Sequence, residues 1–184
     1  MATTHRNLSL VRCLTLASVV GTIPGIALAP AVGQGLDGRV QRVRPRTAEA
    51  ATLLRHAIRQ SPTVARLVRA LDGTDLIVYI ETGCLRVKAA LRIATATPHA
   101  RFIRITINTP ELECRMIGEL AHELQHALEI AGAPDVRDDA TLRQYYEVKG
   151  IRTPEGGYCT LEARRVGALA LYEVNSAAGL RGVR

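Results

Sequence analysis

The stretch GELAHELQHALEI, Gly118–Ile130, sets His122 and His126 four residues apart with Glu123 directly after the first. On an α-helix these two histidines fall within about 40° of each other, and Glu119 and Glu129 share their side. Ile117, Leu120, Leu124, Leu128 and Ala131 gather on the other side, so the stretch reads as an amphipathic helix with its histidines off the main apolar stripe. Upstream, NTPELE (Asn108–Glu113) supplies a start: Thr109 as N-cap, Pro110 at the first helical position and acids in the first turn. Downstream, GAP (Gly132–Pro134) stops the helix near Ala131.

The pattern before this helix has two parts. From Thr47, the residues Ala50, Leu53, Leu54, Ala57 and Ile58 recur at helical spacing. Ser61 and Pro62 restart a second helix, whose apolar face is Val64, Leu67, Val68 and Leu71, and Asp72-Gly73 ends it. The period then becomes two. DLIVYIE (75–81), CLRVKAALRIA (84–94) and RFIRITIN (101–108) read as strands, the second with Leu85, Val87, Ala89, Leu91 and Ile93 inward, the third with Ile103, Ile105 and Ile107 inward. Short links at Thr82-Gly83 and Thr97-Pro98 suggest an antiparallel meander of three strands. Beyond the long helix, a further helix is expected from Asp138 to Val148, KGIRTPEGG (149–157) as a loop, and a last helix capped near Thr160 and running to about Ala178. The fold class is α+β: a helix pair, a three-stranded antiparallel sheet, the long helix and two C-terminal helices.

The chain has 184 residues, which suggests one domain with a core of its own. With five Tyr, one Phe and no Trp, that core must be built from Leu, Ile, Val and Ala. Residues 1–33 have a basic start (Arg6, Arg12), an apolar run and a small-residue end, AVG before Gln34, the organisation of a secretory signal peptide. Pro24 and Gly25 interrupt the run and leave it short of the roughly 20 residues that span a bilayer, and the mature chain contains no other candidate span. Residues 34–46 read as a flexible lead-in and 47–184 as the single domain, so the protein is expected to be exported, periplasmic or extracellular. Loss of Arg6 and Arg12 lowers the formal charge of +7 by two. The remaining basic surface suits an anionic envelope surface. The Arg residues form no stripe and no aromatic stacking platform accompanies them, which argues against nucleic acid. Cys84, Cys114 and Cys159 would remain after export, enough for one disulfide and one leftover thiol, with the pairing open.

His-Glu-x-x-His on a helix carries a specific chemistry. Two imidazoles one turn apart can ligate one Zn²⁺ through His122 and His126, while Glu123 reaches a zinc-activated water as general base without ligating the metal. The competing reading makes His122 and His126 exposed residues paired with Glu119 and Glu129. His56 and His99 have no partner pattern and read as surface residues.

HELQH, preceded by the strand RFIRITIN and followed by further helices, resembles the zincin metallopeptidases over roughly Asp75 to Gly179. HELQHALE is also similar to the core of small exported bacterial proteins of no assigned activity. The zincin resemblance implies zinc ligation by His122 and His126, a general-base role for Glu123, and a sheet whose edge strand holds extended peptide beside the active-site helix. The metzincin subclass is excluded: Glu129 and Gly132 stand where it places glycine and histidine, and no methionine follows Met116.

The gluzincin type takes its third ligand from a glutamate on a later helix, and Glu162 is the leading position for it, although Val166 stands where a supporting Asp is often found. Cys159, one turn earlier, is the alternative as a thiolate, with Glu129 and Glu173 behind it. In zincins a downstream tyrosine often stabilises the oxyanion; Tyr145, Tyr146 and Tyr158 are all placed for it and spacing selects none. The expected function is an exported zinc-dependent peptidase acting on peptide or another amide-bearing polymer. The alternative is a non-catalytic envelope protein whose metal site is structural or vestigial.

Overall fold

The computed structural model describes residues 41–109, 111–154 and 157–181. The signal peptide expected at residues 1–33, and the first part of the lead-in, lie outside them. The order of elements is β1 (Val43–Pro45), α1 (Ala48–Gln60), α2 (Pro62–Leu71), β2 (Leu76–Gly83), β3 (Ala89–Ala96), β4 (Arg101–Asn108), α3 (Glu113–Ala131), α4 (Asp139–Lys149), β5 (Ile151–Arg152), β6 (Tyr158–Cys159) and α5 (Leu161–Arg181).

The class is α+β, but the sheet is mixed rather than an antiparallel meander. Its strand order is β1-β2-β4-β3, with β1 and β4 parallel to β2 and only β3 antiparallel to β4. Two corrections follow. The end of the supposed lead-in is a strand: Val43 is fully buried and pairs with Val78. The helix pair α1–α2 is therefore a crossover between parallel strands, the kind of long connection that parallel pairing requires. The second correction concerns β3, which starts at Ala89 and not at Cys84. As an edge strand it buries only Ile93, and Val87 is 37% exposed. Alternation alone does not distinguish an edge from a centre.

The two central strands behave as their pattern requires. Leu76, Val78 and Ile80 of β2 and Ile103, Ile105 and Ile107 of β4 are fully buried on one face. On the other face Tyr79 and Phe102 stack with ring centroids 6.4 Å apart. The buried face meets α1, α2 and α3 in one aliphatic core. Thr47 caps α1 through the Ala50 N–H and Ser61 caps α2 through the Val64 N–H. Ser61 and Thr63 are also held by the Glu173 carboxylate of α5, which accepts from the Thr63 hydroxyl at 2.8 Å and the Thr63 N–H at 3.2 Å. Glu173 is thus committed to the N-terminus of α2, where a carboxylate complements the helix dipole.

α3 begins at Glu113, later than expected. Asn108 and Thr109 still belong to the sheet end, with the Asn108 side chain accepting from the Leu85 N–H and the Thr109 N–H donating to the Gly83 carbonyl. The helix ends at Ala131 as expected, held by a side chain from the first residue of β4. Arg101 is 1% exposed. Its guanidinium forks onto Asp75 at 2.7 and 2.8 Å and donates to the carbonyls of Ile130, Ala133 and Val136. These are carbonyls at and just beyond the end of α3, where helical partners run out. Among the described residues no helix is long and apolar enough to cross a membrane.

Candidate metal centre

α3 is less amphipathic than its sequence suggests. It is packed between the core and α5, so Glu123 (7% exposed) and His126 (5%) are buried along with Ile117, Leu120 and Leu124. The exposed-histidine alternative is thereby removed for His126. The two rings meet edge to face, and His122 Nε2 lies 3.1 Å from His126 Nε2.

Each ring has a reason for that orientation. The Nδ1–H of His126 donates to Glu129 Oε2 at 2.8 Å, leaving Nε2 as the free lone pair. Glu129 is itself fixed from two other elements. The Thr160 hydroxyl donates to its Oε1 at 2.7 Å, and the Tyr146 hydroxyl lies 3.2 Å from its Oε2 and 3.3 Å from the His126 carbonyl. Burial alone would raise the Glu129 pKa; the hydrogen bonds from His126, Thr160 and Tyr146 outweigh it and hold the carboxyl below its ordinary range. This is the arrangement by which a carboxylate sets the tautomer and aim of a ligating histidine. His122 is kept neutral: burial, with the neighbouring His126, pushes its pKa down to about 4.

The third member of the cluster is Cys159. Two short strands, β5 within the segment expected as a loop and β6 just after it, pair as a short hairpin whose last residue places Cys159 Sγ 3.6 Å from His122 Nε2. Cys159 Sγ and the two Nε2 atoms all lie within 4.8 Å of one another. Bond lengths of about 2.05 Å to nitrogen and 2.3 Å to sulfur around a tetrahedral zinc put ligand atoms ~3.3 Å (N to N) and ~3.6 Å (N to S) apart. The observed 3.1 and 3.6 Å match two of the three spacings, and the third pair, Cys159 with His126, lies within 4.8 Å. Burial pushes the Cys159 thiol pKa up, opposed by the nearby Arg164. A bound divalent cation would reverse that balance and favour the thiolate.

Glu162 does not join the cluster. Its carboxylate is forked by Arg165 at 2.7 and 2.9 Å, its side chain is 48% exposed, and Arg165 holds its pKa low. The physical reason is helix phase: Ala163, Val166 and Ala170 are the positions α5 buries against the rest, and residue 162 falls off that face. Cys84, Cys114 and Cys159 are all free thiols. Of the three tyrosines, Tyr146 is committed to Glu129 and His126, Tyr145 reaches the Glu129 carbonyl, and among the described residues Tyr158 lines the cleft without such an engagement. Burial and the Glu129 charge drive the Tyr146 pKa upward, so this hydroxyl stays protonated.

α3 and α5 approach closely here. A Cβ added at Gly167 would lie 3.0 Å from the Gly118 carbonyl oxygen and 3.2 Å from His122 Cβ. The cluster lies in a cleft of about 1470 Å³ bounded by residues 86–92, α3, α4, the hairpin and α5. Glu123 also lines it. Burial, opposed by His126, raises its carboxyl pKa to about 7, the direction that suits a proton acceptor near neutral pH.

The sequence contained one signal for Glu129, its i, i+3 spacing from His126, and one for Cys159, its position a turn before Glu162. No family model, curated protein or solved structure matches this chain.

Proposed function

We propose that the chain is a zinc-dependent hydrolase of peptide or related amide bonds, with His122, His126 and Cys159 as metal ligands and Glu123 as general base. The observation that carries this reading is the gathering of two imidazoles and one thiol within 4.8 Å of one another, with 3.1 Å between the two Nε2 atoms and 3.6 Å from the thiol to His122. Three protein donors are the number a catalytic zinc uses.

A zinc ion held there supplies Lewis acidity, polarising a carbonyl and making a water acidic near pH 7. The chain's own residues do the rest. Glu129, fixed by Thr160 and Tyr146, orients His126. Glu123, next to His122 and facing the cleft, accepts a proton and returns it to the leaving amine. Tyr158, on the hairpin beside Cys159, is the hydroxyl best placed for a developing oxyanion. The edge strand β3 lies along the same cleft and offers extended peptide a place beside α3. The signal-like N-terminus supports an exported setting.

The test is metal content with peptide hydrolysis. The full chain should carry about one zinc, and Glu123→Gln should keep it and lose hydrolysis by about 10²-fold or more. Undiminished hydrolysis by Glu123→Gln would remove the general-base role, and zinc without hydrolysis in the native chain would leave a structural site.

A further inference from the structure

The charges around the cleft do not cancel. Lys88 pairs with Glu119 at 3.8 Å, Arg92 with Asp139 at 3.2 Å and Arg115 with Glu111 at 3.5 Å. Arg86, Arg143, Arg152 and Arg164 line the same cleft, are exposed, and form no ion pair among the described residues, against one uncommitted exposed acid, Glu147. The four arginines come from different sides: Arg86 precedes β3, Arg143 is on α4, Arg152 is on β5, and Arg164 is in the first turn of α5 next to Cys159.

The backbone of β3 has a free side as well. The Asn108 N–H donates to the Lys88 carbonyl, which fixes the ladder phase. In antiparallel pairing alternate residues point their backbone groups at the partner strand. Ala89 and Leu91 therefore turn their N–H and C=O groups away from β4. Ile93 follows the same phase, and its N–H is taken by the Asp139 side chain at 3.1 Å. A peptide added at this edge would bond to Ala89 and Leu91 and send alternate side chains towards the arginines.

We infer that the cleft selects an extended peptide segment carrying acidic side chains, laid along the free edge of β3 and read by Arg86, Arg143, Arg152 and Arg164. Hydrolysis of that segment rests on the peptidase reading above; its binding does not. Guanidinium groups suit this task because their planar fork matches a carboxylate.

The test uses the full chain as zinc-loaded Glu123→Gln, so that turnover does not consume the probe. Fluorescence anisotropy would compare labelled peptides of alternating Ala-Glu, Ala-Gln and Ala-Lys. At low salt the Glu peptide should bind about tenfold or more tighter than the Gln peptide, and the gap should shrink as salt rises. Adding Arg86→Gln, Arg143→Gln, Arg152→Gln and Arg164→Gln together should erase the gap. In case that combination misfolds, Arg143→Glu alone should narrow the Glu preference and strengthen Lys-peptide binding. Equal affinity for Glu and Gln peptides overturns the inference, as does tighter binding of a single-stranded oligonucleotide than of the Glu peptide. Native chain that cleaves Gln and Glu peptides equally well overturns it while sparing the peptidase reading. Selective binding with no cleavage by native chain does the reverse.

Discussion

Gly118 of α3 and Gly167 of α5 face each other so closely that a Cβ on Gly167 would stand 3.0 Å from the Gly118 carbonyl oxygen. The obstructing atom is backbone, which gives way less readily than the end of a flexible side chain. Gly167→Ala should therefore destabilise the fold by ~1–3 kcal/mol, overriding the ~1 kcal/mol that alanine gains over glycine in a helix. It also presses on His122, so zinc affinity should fall together with the denaturation midpoint. A variant with unchanged midpoint and unchanged zinc affinity would mean that the helices do not meet as described.

Two variants test the proposed third ligand. Cys159→Ala should lower zinc affinity by about 100-fold or more, since it removes one of three donors. Glu162→Ala should leave zinc affinity within about twofold, because that carboxylate is engaged by Arg165 at the surface. Equilibrium dialysis against a competing chelator measures both. Zinc loss in the Glu162 variant alone would reinstate the glutamate.

Glu129 acts through His126. Glu129→Gln keeps the shape but weakens the acceptor for the imidazole N–H, and should cost about 10- to 100-fold in zinc affinity. A merely structural role would lower stability without that change, so metal affinity and unfolding free energy should be read on the same samples. Tyr146→Phe, which removes one of the hydroxyls at Glu129, should shift zinc affinity in the same direction by less.

Arg101 and Asp75 make a pH-dependent contribution to stability. Hydrogen bonds from Arg101 hold the Asp75 pKa below its ordinary value of 3.8. A carboxyl with a depressed folded-state pKa stabilises fully above its unfolded value, and that contribution is lost as pH falls through the folded value. The stability difference between native chain and Asp75→Asn should thus be constant at neutral pH and shrink below about pH 4. Arg101→Leu should cost ~3 kcal/mol at pH 7, because it leaves carbonyls at the end of α3 without their donor. An Asp75→Asn difference that stays flat down to pH 2 would contradict the linkage.

Local signals made much of the fold legible. Ser61-Pro62 marked the start of α2, Asp138 capped α4 and Thr160 preceded α5, because capping is chemistry between near neighbours in the chain. The strand β4 and its inward isoleucines were equally plain, since a period of two with one buried face leaves little choice. The sheet topology was not legible. Val43–Pro45 is too short to show a period, and nothing in β2 or β4 records that they lie side by side in parallel with β3 outside them.

At the candidate metal centre the same division holds. The sequence by itself determined that His122, Glu123 and His126 share one helix one turn apart, because helical geometry converts spacing into proximity without help from the rest of the chain. Only the tertiary structure decided that Cys159 and not Glu162 stands beside them, that Glu129 aims His126, and that Arg101 anchors the end of α3. Those relationships depend on the phase of one element against another, on how closely Gly118 and Gly167 let two helices approach, and on a hairpin whose position the local pattern does not encode.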